Sequence, residues 1–348
     1  MMRRDPSWPS NVELTEDLDA PDALTPGWNA SSVALAPEVV RAATADRRFE
    51  STILAARLDG STAGFVTLSR CLMNGFPATI FDPACAAPDL FTDDVGKPAG
   101  YLLIGGTDLV SGPVLSAALN SFEKQLVGQA LVDGAFAKAH QAGLAPAALY
   151  VRDQDIAYFS GSHCEAVKVD EFATVPVRGW DSYLAGLSHG RRSVVRRDIK
   201  GLKEKELGSE IGSALELIPE AAPLVVAVKN RHQIPDHPRL VEMRLATWAQ
   251  MDVGTRFGFS VRDTQGRLLA ASFGCHHDDV LEMHEIGLAD SPHRHLAYVE
   301  ALVYSPLRLA HELGCQELQL GMGSTRPKVL RGAKTSPVWV VGRTKGNG

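Results

Sequence analysis

The feature that most constrains this chain is one order of secondary-structure signals that occurs twice. TILAARLDGSTAGFVTLSR (52–70) is an apolar run, an Asp-Gly turn and a second apolar run. FGFSVRDTQGRLLAASFG (257–274) has the same design, with its turn at Asp263 to Gly266. Each reads as a β-hairpin, because Asp and Gly accept the turn conformations that join antiparallel strands. Each is followed, after further strand, by a loop and a long helical pattern that closes on glycine. In the first half the helix is 125–143, ending at Gly143, and a strand follows at 147–153. In the second half it is 295–314, ending at Gly314, with a strand at 316–321. A glycine just past the last turn suits a left-handed helix cap. Strands alternating with helices give an α/β chain, and the recurrence of a whole unit points to a duplicated domain. Two unrelated α/β domains are the alternative.

A chain of 348 residues suits two domains better than one. Residues 1–27, rich in Pro, Asp and Ser, read as a loosely ordered lead-in, followed by domains at 28–177 and 178–348. Hydrophobic residues make up 45% and charged residues 22%, enough for a core in each. The net charge of −6 argues against a global positive field for gripping nucleic acid, but leaves room for a local basic groove. No apolar run of about 18 residues is present, so no transmembrane helix is expected. The N-terminal stretch has arginines but no apolar core of a signal peptide. The five cysteines are scattered and form no CxxC pair. A disulfide framework or structural zinc is therefore not expected, and a reducing, cytoplasmic compartment is.

The most distinctive segment is WDSYLAGLSHGRRSVVRRDIKGLKEK (180–205). Trp180, Tyr183, Leu184 and Leu187 have the spacing of one helix face. A second helix then carries Val195, Ile199 and Leu202 on its apolar side, with Arg192, Arg196, Lys200 and Lys203 as a basic stripe. This W-x-x-Y-L-x-x-L and R-R-x-x-x-R-R pattern resembles the second-domain entry of Fem-type ligases and related peptidoglycan-recognition proteins of the GNAT superfamily. The closing segment is similar too: a glycine turn, Gly321-Met322-Gly323, precedes Lys328. In that family the corresponding lysine lies near the acyl-transfer site and usually follows an aromatic residue; here it follows Pro327. The resemblance covers residues 178–342 by sequence and the first half by the hairpin-strand-helix-strand order alone. It implies two tandem GNAT-like domains, each a mixed twisted sheet flanked by helices. It also implies acyl transfer, commonly from an aminoacyl-tRNA to an amine, in other members from acyl-CoA.

Several residues have chemistry to offer. Gln125, Gly128 and Ala130 fit the GNAT pyrophosphate-loop pattern, in which backbone amides at a helix start meet phosphate oxygens. An ordinary helix start would match as well. Arg294 and the two histidines of Ser291-Pro292-His293-Arg294-His295 can bind a phosphate of the donor or of a nucleic-acid end, or the loop is a polar surface turn. In GCHHDDVLEMHE (274–285), Asp278-Asp279 reads as a turn with His277 opposite Val280 and Phe273 opposite His284. Alternation then sends His276 and His277 to opposite faces, which argues against a metal site. His284 or Glu285 can accept the proton of an attacking amine, or the two are a plain polar pair. Arg192 and Arg196 can neutralise donor phosphates, or belong to a solvated face. Lys328, read as lying in a loop, can stabilise an oxyanion or a phosphate, or is a solvated lysine.

The expectation is therefore an acyltransferase moving an aminoacyl group from aminoacyl-tRNA to an amine of a small-molecule or cell-wall-type acceptor. Direct attack would take place in the interdomain cleft, with no cofactor and no metal. Acyl-CoA held at Gln125 is the alternative donor. A non-catalytic GNAT-like binding module is the reading from another class.

Overall fold

A computed structural model describes residues 11–23, 27–76, 78–91, 100–161 and 164–343. The chain forms two compact units, residues 1–170 with 337–348, and residues 171–336. Residues 337–343 of the last strand thus group with the first unit, whereas the sequence reading places all of 178–348 in the second domain.

The first unit opens with β1 (Val12–Glu16), β2 (Trp28–Asn29), α1 (Pro37–Thr44), β3 (Phe49–Leu58) and β4 (Ser61–Cys71). It continues through α2 (Pro83–Ala86), α3 (Pro88–Phe91), β5 (Tyr101–Ile104), β6 (Val114–Ser116), α4 (Ser121–Gln141) and β7 (Ala145–Arg152). β3 and β4 form the expected hairpin, closed by Asp59 and Gly60 at φ +52° and +82°. Positive φ at both turn residues matches the twist of the strands they join. The strands lie in the order β1-β3-β4-β5-β7, with β5 and β7 parallel. Val127, Leu131 and Ala135 of α4 share a core with Leu54, Val66 and Ile104 of these strands. α4 begins four residues earlier than the sequence pattern, because Asn120 and Glu123 close a reciprocal capping box there. Its end follows expectation. Gly143 takes φ +67°, and the amides of Gly143 and Leu144 bond the carbonyls of His140 and Ala139.

β8 (Cys164–Pro176) carries the chain into the second unit. There follow α5 (Trp180–Gly186), α6 (His189–Glu204), β9 (Gly208–Ser213), α7 (Ala214–Arg231) and α8 (Pro238–Ala249). Next come β10 (Thr255–Arg262), β11 (Leu268–His277), β12 (Val280–Leu288), α9 (Arg294–Val299), α10 (Ser305–Glu312), β13 (Glu317–Gly321) and α11 (Thr325–Leu330). The strand order is β8-β13-β12-β11-β10-β9, with β12 and β13 parallel. The predicted hairpin 257–274 is β10–β11. Asp263 accepts from the amides of Gln265 and Arg267 at 3.0 Å each, and so shapes its turn. Trp180, Tyr183, Leu184 and Leu187 join Val195, Leu202, Leu281, Leu318 and Tyr304 in one core, as their spacing required.

The helix expected at 295–314 is not uniform. A π turn at Glu300–Tyr304 separates α9 from α10. Pro306 has no amide to give the carbonyl four residues back, and its ring crowds that carbonyl. The Ser305 amide reaches Glu300 instead, one residue farther than in an α-helix. Gly314, at φ +76°, ends α10 with the same two-bond cap as α4. β14 (Lys334–Arg343) then returns the chain to the first unit, where Val338 pairs with Arg152 and Gly342 with Ala147 of β7. Among the described residues no helix is long and apolar enough to cross a membrane.

Candidate active site

The pairing of β11 with β12 shifts register between Phe273 and Gly274. Phe273 faces Glu285 and Gly274 faces Met283, so His284 is the extra residue of a β-bulge. The sequence-based pairing of Phe273 with His284 is off by this one residue, while His277 opposite Val280 stands. The bulge turns His284 outward, where its ring stacks on Trp248 of α8 with centroids 4.5 Å apart and planes 6° from parallel. Trp248 is itself buried, edge-on to Phe273, with the Arg256 guanidinium 5.0 Å from its ring. An exposed imidazole is thus braced by a buried aromatic ring.

The parallel ladder between β12 and β13 stops at Glu282–Gln319, although both strands run on. Beyond it Gly321, at φ +73°, passes close to the carbonyl of Met283, next to the bulge. Gly323 and Ser324 are left-handed as well. Lys328 holds this turn. It is 2% exposed, and its Nζ donates to the carbonyls of Gly321 at 2.9 Å and Met322 at 2.8 Å. It lies in α11 rather than in the loop expected for it, because the chain re-enters a helix at Thr325.

Glu285, the neighbour of His284, sits in a network of charges. Arg244 donates to both its carboxylate oxygens at 3.0 Å, and Lys229 lies 3.2 Å away. Asp236 shares the same two cations at 2.7 and 3.2 Å. Burial works against charge on Glu285, but Arg244, His284 and Lys229 outweigh it and hold the carboxyl below its ordinary range. A carboxylate held this way is a poor proton acceptor. Of the two candidate bases, the geometry favours His284.

A second network lies beneath α11. Arg331 is 1% exposed; its Nε and Nη2 donate to Asp198 Oδ2 at 3.0 and 2.7 Å, and Nη1 donates to the Pro327 carbonyl at 2.9 Å. The Tyr304 hydroxyl, delivered by the π turn, donates to the same Asp198 oxygen at 2.6 Å. Tyr183 donates to the Arg331 carbonyl at 2.7 Å. Burial first, and the hydrogen bond to Asp198 second, push the Tyr304 phenol well above its usual range.

No family model matches the sequence, and no curated protein does. Solved structures do. FemX is 11% identical, with a TM-score of 0.62 over 94% of this chain and 96% of that one. A tandem GNAT protein from the clavulanic acid biosynthesis pathway is also 11% identical, with a TM-score of 0.52 over 97% of this chain and 100% of that one. The C-terminal domain of a protein described as a lysylphosphatidylglycerol synthetase, from Agrobacterium fabrum, is 12% identical. Its TM-score is 0.56, over 93% of this chain and 91% of that one. This chain has the GNAT fold.

On that GNAT framework the other candidate residues lie in helices. Gln125, Gly128 and Ala130 do not form a loop at a helix start. They lie inside α4, where amides from the fifth residue on are spent on the helix itself. Gly128 packs under Tyr158, so closely that a Cβ there would lie 2.4 Å from the ring. Arg192 is also committed. Its Nε donates to the Leu184 carbonyl, and its Nη2 to those of Ala185 and Leu187, capping the end of α5. Arg196 is exposed on α6, as are Arg197 and Lys203. Arg294 opens α9 and is partly buried. Among the described residues, no group of three or more His, Cys, Asp or Glu is placed to hold a metal ion.

Sequence reasoning missed Trp248, Arg244, Lys229, Asp198 and Arg331. Val241, Leu245 and Trp248 do carry a helical spacing that marks the buried face of α8. Nothing local marks Asp198 and Arg331 as partners, since they meet only through the fold.

Proposed function

We propose that this chain is an acyltransferase that moves an aminoacyl group from aminoacyl-tRNA to the amine of a cell-wall-type, lipid or small-molecule acceptor. The observation that carries the reading is the bulged, exposed His284, stacked on Trp248 beside the end of the β12–β13 ladder. A neutral amine attacks the donor's carbonyl carbon; the C–N bond forms and the carbonyl becomes an oxyanion. His284 accepts a proton from the amine and returns it to the leaving oxygen as the ester C–O bond breaks. Lys328 keeps the Gly321–Gly323 turn in place and brings positive charge close to the developing oxyanion. Glu285, held as a carboxylate by Arg244 and Lys229, places an anion next to His284 in the chain. Arg196 and Arg294 are the cations proposed to meet donor phosphates.

The reading gains support from the fold shared with FemX and with the domain of the described lysylphosphatidylglycerol synthetase. Acyl-CoA is the second donor to test, because the tandem GNAT structure is described as lacking AcCoA. The experiment is transfer of radiolabelled amino acid from a charged tRNA mixture to an amine acceptor, with and without ribonuclease, beside a parallel arm with acetyl-CoA. Transfer abolished by ribonuclease supports the tRNA route. Transfer only from the thioester moves the chain to the CoA-dependent class, and none from either removes the enzymatic reading.

A further inference from the structure

A charged pair as deeply buried as Asp198–Arg331 loses hydration that mutual attraction only partly returns. What else the pair touches therefore matters. Nη2 of Arg331 lies 2.9 Å from Nε2 of His295. A guanidinium is always protonated and offers only donors. The contact needs a lone pair on His295 Nε2, so the neutral ring carries its proton on Nδ1. Asp198 Oδ1 is 3.7 Å from the same nitrogen, too far to claim a ring proton. The side chain of His295 is 62% exposed, yet its inner edge is tied to a guanidinium anchored by Asp198 and the Pro327 carbonyl. Arg294 precedes it in the chain, and Arg331 follows directly on α11, the helix whose Lys328 holds the Gly321–Gly323 turn.

We propose that Arg331 is a positioning residue that holds His295 as an Nδ1–H donor to a phosphate oxygen of the acyl donor. The opposite tautomer would turn a lone pair outward and repel an anionic oxygen. Phosphate is common to a tRNA 3′ end and to the pyrophosphate of CoA, so the assignment holds for either donor. No proton is transferred and no bond breaks at this residue. The inference rests on the acyl-transfer reading for its choice of ligand, but its test does not depend on turnover.

The test uses the full chain labelled with 15N at histidine, with inorganic pyrophosphate as the probe. Long-range proton–nitrogen spectra should show His295 as the Nδ1–H tautomer, and its Nδ1 resonance should move as pyrophosphate is added. His295→Ala should weaken pyrophosphate binding about tenfold, the scale of one hydrogen bond to a charged group. His295→Gln should restore most of it, because a glutamine can accept from Arg331 and donate outward with its amide. An Nε2–H tautomer overturns the proposal, as does unchanged affinity in His295→Ala or a glutamine variant as weak as alanine. Both substitutions are at an exposed side chain, so folding is retained for the comparison. Pyrophosphate binding of this kind without acyl transfer from any donor would defeat the acyl-transfer reading and leave standing the phosphate contact of His295 held by Arg331.

Discussion

Arg331 sets two of its nitrogens on a single oxygen of Asp198, Nε at 3.0 Å and Nη2 at 2.7 Å, and the Tyr304 hydroxyl completes that oxygen's shell at 2.6 Å. Three helical segments distant in sequence are joined at one atom. Arg331→Met leaves the carboxylate buried without its cation, and should cost about 3–5 kcal/mol of stability. The double variant Asp198→Leu, Arg331→Met should recover much of that loss. Urea unfolding of the single and double variants measures both, and a single variant as stable as the wild type would show that the pair is not needed to hold these helices.

His284→Ala should lower kcat by about 10²–10⁴ with little change in KM for the donor, the range expected when a general base is lost. Trp248→Leu should produce a smaller fall in kcat, because the imidazole remains but loses the ring that braces it. Steady-state kinetics on both variants decide the matter. Equal activity in His284→Ala would move the proton acceptor elsewhere.

The basic stripe divides into two kinds of arginine. Arg192→Ala should lower thermal stability by about 1 kcal/mol, because three carbonyls at the end of α5 lose their donor. Arg196→Ala should leave stability unchanged and make donor binding less dependent on salt by about one counterion. Binding isotherms at several salt concentrations, with melting curves, separate the two; identical salt slopes in wild type and Arg196→Ala would return Arg196 to a solvated face.

Asp155 in the first unit gives a pH signature. Burial raises its pKa from 3.8 to about 6, against the pull of Ser31 and Arg152. The folded chain therefore binds more protons than the unfolded chain between these values, and stability falls as pH rises through that window. Asp155→Asn abolishes this term. Relative to wild type, the variant should gain about 3 kcal/mol between pH 3.5 and pH 7.5. Urea midpoints at the two pH values provide the check, and a pH-independent difference would contradict it.

Gly128→Ala should destabilise the first unit by about 1–3 kcal/mol, since the new methyl must displace the ring of Tyr158. Unchanged unfolding would mean that Tyr158 swings aside at no cost.

Much of this fold was legible because local signals and tertiary contacts agree. The Asp59-Gly60 turn, the caps at Gly143 and Gly314, and the buried face of Trp180, Tyr183, Leu184 and Leu187 each rest on a few neighbouring residues. The site was legible only in part. His284 stands out in sequence, but the bulge that aims it is a mismatch between two strands, which neither strand shows alone. Gln125-x-x-Gly128-x-Ala130 matched a loop pattern by letter. The capping box at Asn120 and Glu123 moved the helix start ahead of it and took its amides. Arg192 shows how a charge counted as available for a ligand is consumed by carbonyls that only the folded chain puts within reach.

The return of β14 sets an order on synthesis. Val338, Val340 and Val341 are fully buried in the first unit, beside β7, yet they are translated after every residue of the second unit. A ribosome that has released residues 1–170 has not yet supplied the strand that covers one edge of β7. That edge remains an open hydrogen-bonding template until Val338–Gly342 have been made. A stop codon placed ahead of Pro337 would therefore damage the half of the protein made first.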